Sequence, residues 1–483
     1  MLFNSYIFIF LFLPATLIVY FLLNNRKLTI VSKAWLVFAS LFFYGWWNPI
    51  YVPLILGSIL LNYAIGVTLS GAKNSQSKLI LILGIAGNLG LLAYFKYMDF
   101  FITNINYLTG GHIRLLQIIL PLGISFFTFT QIAYLVDAYR HLAKEYSLLN
   151  YFLFVTFFPH LLAGPIIHHK EMMPQFDRLK NKLLDHRNLA HGLLLFFIGL
   201  FKKVVIADSL AVWADQGFDH TAVLTLIEAW AVSLSYSLQL YFDFSGYTDM
   251  ALGTSLMFNI RLPINFNSPY RSLNIQEFWR RWHMTLGRFI RDYVYIPLGG
   301  SKVSETRTII NLLVTFFIIG LWHGAGWTFV CWGLMHGVAI VVQRIWDRTN
   351  ISLPKFLAWL LTFNFVNFSW VFFRALNFND ATKVVKGMLG FNGLGGTEQL
   401  TRVFGSFKKF QIALKHWLGS IDGNAQTLAF ILLCLIFSLF FWNSNEMEER
   451  FSPNWKNAFI LGVISLYAML NLQKASQFIY FNF

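Results

Sequence analysis

The sequence predicts an all-α polytopic membrane protein, and three observations carry that expectation. Of the 483 residues, 57% are hydrophobic and 18% aromatic, with 52 phenylalanines. Only 12% are charged, against about 25% in soluble globular chains. The apolar residues fall in successive runs of bilayer-spanning length, about 17–25 residues each. A soluble fold cannot hide that much apolar surface, and the same figures exclude a disordered chain, a collagen and a small disulfide scaffold.

The first apolar run, 6–23, has no basic stretch before it and no small-x-small cleavage site after it. It reads as a retained span rather than a removed signal peptide. Runs at 34–48, 51–69 and 78–95 follow. The loop after the first carries Arg26, Lys27 and Lys33, and the loop after the third carries Lys73 and Lys78, whereas "WWNPIY" at 46–51 has no charge. The positive-inside rule then puts both basic loops in the cytoplasm and the N-terminus outside. Further runs lie at 116–136, 150–168, 190–210, 223–242, 308–322, 326–345, 355–374, 426–442 and 456–472. With short and broken runs included, the expectation is roughly 11–13 transmembrane or re-entrant helices. Past residue 96 simple in–out alternation fails, because 168–187 and 271–307 both look cytoplasmic. Re-entrant or interfacial helices in mid-chain are the expected cause, and such backbone is tolerated only inside protein or along a wet cavity. The polar run 391–425 reads as a loop with an amphipathic surface helix. No internal repeat is visible, so 1–483 reads as one membrane domain, with its core at about 100–345 and C-terminal helices at about 346–483.

The net charge of +15 sits in short loops between apolar runs. That pattern points to anionic lipid head groups and away from nucleic acid. Cys331 and Cys434 lie in apolar runs and read as small buried hydrophobes. No zinc spacing and no disulfide framework is present, so neither a metal nor a bound cofactor is expected.

The densest charge lies in "PINFNSPYRSLNIQEFWRRWHMTLGRFIRDYVYIPLGG", 263–300. Asn274 followed by Glu277 is a helix-start signal of capping-box type. The helix is expected to run to about Val294, with Trp279, His283, Leu286 and Ile290 on one face and Arg280, Arg281, Arg288 and Arg291 on the others. Arg288 and Asp292 are expected to pair at i,i+4. The arginines suit either a lipid-facing helix surface or a vestibule for a phosphate-rich ligand. His283 suits either a satisfied core histidine or a site residue. In "YFDFSGYTDMALG", 241–253, Asp243 and Asp249 are intramembrane carboxylates and so functional candidates by default, with pairing to a nearby arginine the expected structural role. Ser245 lacks the glycine two residues earlier that a nucleophile elbow needs. His168 and His169 are adjacent and project from a helix about 100° apart, which supports a metal site weakly.

"GLWHGAGWTFVCWGLMHG", 320–337, is almost wholly apolar yet holds His323 and His336, each before a glycine. Gly324 and Gly326 let another group approach the His323 imidazole, or let the helix break there. Spacing and burial leave His323 open between a helix–helix hydrogen bond and a general base.

"FPHLLAGPI", "YFDFSGYTDMA", "INFNSPYRSLNIQEFWRRWHMTLGRFIRDYVYIPLGG" and "GLWHGAGWTFVCWGLMHG" occur in that order. On these motifs the chain resembles the membrane-bound O-acyltransferases, and within them the bacterial branch of alginate O-acetyltransferase membrane subunits and their peptidoglycan-acetylating and D-alanyl-transferring relatives. The resemblance covers roughly residues 1–345, the remainder matching only in hydropathy. It implies tilted spans around a central tunnel, with a cytoplasmic and an extracytoplasmic funnel meeting at the histidine. It also implies that His323 is the catalytic histidine and His283 the second histidine of the tunnel. Trp322, Trp279, Arg280, Arg281, Arg288, Arg291, Asn267, Asp243 and His336 are then candidates for lining the tunnel or binding the donor. The implied reaction passes an acetyl group from a cytoplasmic thioester, acetyl-CoA, to an extracytoplasmic polysaccharide by way of a partner acetyltransferase. A carrier-protein thioester or D-alanyl donor is the alternative. From the residues alone, a membrane transporter or a scaffold for a secretion complex would also show intramembrane His and Asp, although the absence of repeat symmetry disfavours a transporter.

Overall fold

In a computed structural model of the chain, residues 1–71, 75–145, 147–394, 417–474, 476, 478 and 479 are described. Every regular element among them is a helix. Helices α1 (Phe8–Asn25), α2 (Thr29–Gly45), α3 (Pro49–Gly71) and α4 (Gln76–Thr109) follow the four N-terminal runs. The fourth run extends past residue 95 because α4 continues through a π turn at Ala93–Tyr97.

The run read as 116–136 is helical only from Ile124, as α5 (Ile124–Tyr139), which is buried on almost every side. The run at 150–168 is not one span. It breaks at Phe157 between α6 (Leu148–Thr156) and α7 (Phe158–Leu161), then continues as irregular buried chain to α8 (His169–Asp177). Irregular backbone was expected in mid-chain, and this stretch is buried within protein, where such backbone is tolerated.

Helix α9 (His186–His220) packs antiparallel against α10 (Leu226–Met257), the 32-residue post of the molecule, which is buried along nearly its whole length. Small residues make that contact possible. A Cβ on Gly199 would lie 2.5 Å from the Gly246 carbonyl oxygen, and one on Gly253 would lie 2.5 Å from that of Gly192. The two glycines on each helix are seven residues apart, about two turns, so the backbones touch twice along one seam.

The single helix expected over 274–294 is two helices, α11 (Ile275–Arg281) and α12 (Met284–Ile290). Asn274 caps α11 as expected, accepting from the Glu277 N–H at 2.8 Å. The break falls at Trp282–His283, where His283 is left-handed with φ 44° and ψ 51°. Trp279 and His283 therefore do not share a helix face. Helix α13 (Glu305–His323) and α14 (Trp327–Trp346) form a hairpin closed by Gly320 and Gly333. Their added Cβ atoms would each lie 2.4 Å from a backbone oxygen of the other helix. Helices α15 (Lys355–Arg374), α16 (Phe378–Met388), α17 (Ala425–Phe440), α18 (Ser444–Arg450) and α19 (Trp455–Leu470) complete the order. Among the described residues 7 helices are long and apolar enough to cross a membrane, or 8 if α17 and α18 form one bent span. The other runs counted from sequence are shorter helices such as α2 and α19, or the mostly buried and more polar α10. Of the polar run 391–425, residues 395–416 lie outside the described residues.

Two expected ion pairs form with other partners. Arg288 reaches across the fold to Glu171 on α8 with two bonds of 3.0 Å, and Asp292 accepts from its neighbour Arg291 at 2.7 Å. Asp243 and Asp249 pair with Lys203 at 2.6 Å and Lys202 at 2.7 Å, not with arginine. A π turn at Lys202–Ala207 lies where the two lysines reach α10. Finally, Lys33 bonds Asp177 on α8 at 2.7 Å. Through α8, the start of α2 and helix α12 are joined by ion pairs.

Candidate active site

Three segments converge on one buried point. Helix α13 ends at His323, which is 2% exposed, and Gly324 turns the chain out with extended backbone. Its missing side chain leaves room for the Phe329 ring, since a Cβ there would lie 2.2 Å from that ring. The open flank suggested by the glycine is thus filled by an aromatic. The His323 imidazole sits among Trp322, Trp332 and Phe373, at centroid distances of 4.9, 5.1 and 5.1 Å. The fourth neighbour is His283, 6.4 Å away.

His283 is 0% exposed. Its left-handed conformation is uncommon for a residue with a Cβ and costs on the order of 1 kcal/mol. What holds it is Asn265. The Asn265 Oδ1 accepts from the Thr285 N–H at 3.2 Å and the Thr285 hydroxyl at 2.9 Å, and lies 3.1 Å from His283 Nδ1. An oxygen that already accepts from a backbone N–H is an acceptor to the imidazole too, so Nδ1 carries the proton and Nε2 the lone pair. Thr285 Oγ1 also accepts from the Ile166 N–H at 3.1 Å, which ties the "GPI" segment to the same knot. Phe244 of α10 stands edge-on to His283 at 4.8 Å.

Residues missed in the sequence hold the other histidine. Lys96 Nζ donates to the Trp322 carbonyl at 2.6 Å and the His323 carbonyl at 3.2 Å, and Tyr97 Oη donates to the Leu321 carbonyl at 2.6 Å. These are carbonyls of the last turn of α13, which have no intrahelical partner, and a cation there also suits the helix dipole. Lys96 stands at the edge of the fourth apolar run, where nothing local marks this role. Asn265 carried no signal to set it apart from Asn267, two residues on.

Beside this point lies a cavity of about 750 Å³, walled by α11, α12, α13 and residues 263–264. Arg280, Arg288 and Arg291 line it, together with Trp279, Thr285 and Ile319. Arg288 is tied to Glu171, and the bond from Asp292 raises the Arg291 guanidinium above its ordinary value. Arg280 is exposed, and no ion pair to it forms among the described residues.

The sequence-derived candidates therefore divide. His323, His283 and Trp322 meet, with Trp322 between Phe126, Phe129 and His283. Trp279 and His336 adjoin them and are bonded to each other at 3.2 Å. Three arginines line the cavity. Arg281 is turned to Glu277 and the Asn267 carbonyl. The Asn267 side chain accepts from Asn443, just before α18. Asp243 is bound to Lys203 and to the Ile479 N–H at 3.1 Å. These last three are not brought to the histidines. The part of the chain after 345, which showed only hydropathy, reaches the centre all the same. Phe478 stacks on Tyr247 at 4.4 Å and lies 5.7 Å from Phe244, the ring that backs His283.

Comparison with known proteins agrees with this architecture. The family model described as MBOAT, membrane-bound O-acyltransferase family, matches residues 86–379. A peptidoglycan O-acetyltransferase of Helicobacter pylori is 47% identical over an alignment of 525 residues, covering 100% of this chain and 98% of that protein. A probable alginate O-acetylase AlgI of Pseudomonas aeruginosa is 40% identical over 413 residues, covering 83% of this chain and 77% of that protein. A teichoic acid D-alanyltransferase of Bacillus subtilis is 30% identical over 274 residues, covering 53% of this chain and 69% of that protein.

Proposed function

The chain belongs to the membrane-bound O-acyltransferase family, and from that premise we propose that it moves an acetyl group from acetyl-CoA in the cytoplasm toward a polysaccharide hydroxyl outside, by way of a partner acetyltransferase. The observation that carries this reading is the pair of buried imidazoles, 6.4 Å apart, beside a cavity lined by three arginines. A relative named for peptidoglycan matches the whole chain, which favours that polymer over alginate as the final acceptor.

The cytoplasmic side is argued from the loop of Arg26, Lys27 and Lys33. That loop is joined to α8 and α12 through Lys33–Asp177 and Glu171–Arg288, and short basic loops stay inside. The same rule puts the N-terminus outside. The donor's phosphates would meet Arg280 first, the one of the three without a carboxylate partner, while Arg288 would exchange Glu171 for phosphate.

In the transfer step His323 takes the proton of the acceptor hydroxyl as its oxygen attacks the thioester carbonyl carbon. The new C–O bond forms, the C–S bond breaks, and the departing thiolate receives the proton. His283, its protonated Nδ1 held by Asn265, keeps Nε2 as an acceptor facing the reaction and orients the hydroxyl. The aromatic lining excludes water, so the activated acyl group is not hydrolysed.

The test is transfer of labelled acetyl from acetyl-CoA by the purified protein with its partner. His323→Ala is expected to lower turnover by at least about 10²-fold, the lower end of general-base contributions, while the protein remains folded in detergent. Transfer at the wild-type rate by that variant ends the reading. Arg280→Ala is expected to raise the donor KM about fivefold and to flatten its dependence on salt, since exposed charges are screened beyond about 8 Å at physiological ionic strength. A carrier-protein or D-alanyl donor is the second reading, supported by the D-alanyltransferase match over half the chain. It predicts label transfer from the loaded carrier and none from acetyl-CoA.

A further inference from the structure

His336 lies on α14, about two and a half turns from its start, and is 0% exposed. Both of its ring nitrogens are committed. Trp279 Nε1 donates to Nδ1 at 3.2 Å, and Nε2 lies 2.9 Å from Ser369 Oγ on α15. An indole N–H can only donate, so Nδ1 accepts and Nε2 carries the proton to Ser369. The serine hydroxyl is itself turned to the Val366 carbonyl at 2.8 Å. The chain of bonds thus has one direction, from Trp279 through His336 to the backbone of α15. Its first member is a residue that lines the cavity beside the three arginines. Trp332 fills the gap between the two histidines, 5.0 Å from His336 and 5.1 Å from His323, and stacks on Trp370.

We propose that His336 is a positioning residue for the donor: by accepting from the Trp279 indole it holds that ring edge-on to His336 and Trp332 of α14, clear of the donor's way from the cavity toward His323. The inference rests on the reading that this cavity admits the donor. Burial makes the bond decisive. Without an acceptor in the Trp279–Trp332–Phe316 cluster the indole N–H would be left unsatisfied. The cavity that Trp279 borders offers polar groups and water beside its ring, so the ring would turn into the donor's path. His336 therefore acts through Trp279 and does not touch the reacting atoms.

Two substitutions separate the two ring nitrogens. His336→Asn keeps an acceptor oxygen where Nδ1 sits, and His336→Gln keeps a donor where Nε2 sits. The Gln variant is expected to raise the donor KM about tenfold with kcat within about twofold, the scale of one lost buried hydrogen bond. The Asn variant is expected to stay within about threefold of wild type in both. Trp279→Phe, which keeps the ring and removes the donor, should match the Gln variant, and the double variant should be no worse than either single one. The contact is read independently of donor by the Trp279 indole ¹⁵N–¹H resonance, assigned by its absence in Trp279→Phe. It should hold its place in the Asn variant and move upfield in the Gln variant. An unmoved resonance in the Gln variant, or equal KM changes in the Asn and Gln variants, overturns the inference and leaves the acetyl-CoA reading standing. A moved resonance with donor KM unchanged in the Gln, Trp279→Phe and Arg280→Ala variants alike overturns the donor cavity itself. Should both His336 variants fail to fold, a wild-type KM for Trp279→Phe refutes the proposal.

Discussion

His323 owes its place to a lysine on another helix. Lys96 and Tyr97 close the last carbonyls of α13, so the imidazole stands at a helix end that would otherwise fray. Replacing Lys96 by Met keeps the length of the side chain and removes the donors. Turnover is expected to fall about tenfold with donor KM within about twofold, as for an interaction that orients the base without binding the donor. Steady-state kinetics beside a detergent melting curve checks this, and a loss of activity that merely follows a loss of folded protein refutes it. The residue scale also shows what sequence could and could not reveal. His323 and His283 were visible through their motifs. Asn265 and Lys96 were not, because an amide in a loop and a lysine at the edge of an apolar run acquire meaning only when folding brings a histidine or a carbonyl to them.

At the scale of elements the same distinction recurs. The cap at Asn274 was legible because capping is local. The break eight residues later was not, since neither Gly nor Pro marks Trp282–His283 and helical periodicity runs through it. Bonds accepted by Asn265, 18 residues before His283, override the local preference and turn His283 left-handed. The glycine seam between α9 and α10 was likewise hidden, because each pair of glycines is unremarkable on its own helix. Its consequence is measurable. Gly199→Leu must displace the Gly246 carbonyl and Met250 backbone, which lie 2.5 and 2.7 Å from the new Cβ. Overpacking of this kind costs about 1–3 kcal/mol or more, so the unfolding midpoint in detergent should drop clearly. A midpoint equal to wild type would mean that the two helices do not meet there.

Across the whole molecule, composition was enough for an all-helical membrane protein, and ordered motifs were enough for the family. The count of spans was not legible in the same way. Hydropathy treats α10 as a run that stops at 242, whereas the helix continues through "YFDFSGYTDM" because its hydroxyls and carboxylates face other helices rather than lipid. Counting by hydropathy failed past residue 96 for a related reason: between α6 and α8 the apolar run at 150–168 breaks into a short helix and buried irregular chain, so it is not one helical span. The part of the chain after 345 gave no motif, yet it supplies Ser369, Phe373 and Phe478 around the centre. The place of Phe478 bears on biogenesis. The ring that backs Phe244, and through it His283, is made more than 150 residues after His323 leaves the ribosome's decoding centre. Insertion of the hairpin bearing the histidine therefore precedes completion of the wall behind its partner. A nascent chain in the membrane thus holds both imidazoles before it holds the finished pocket.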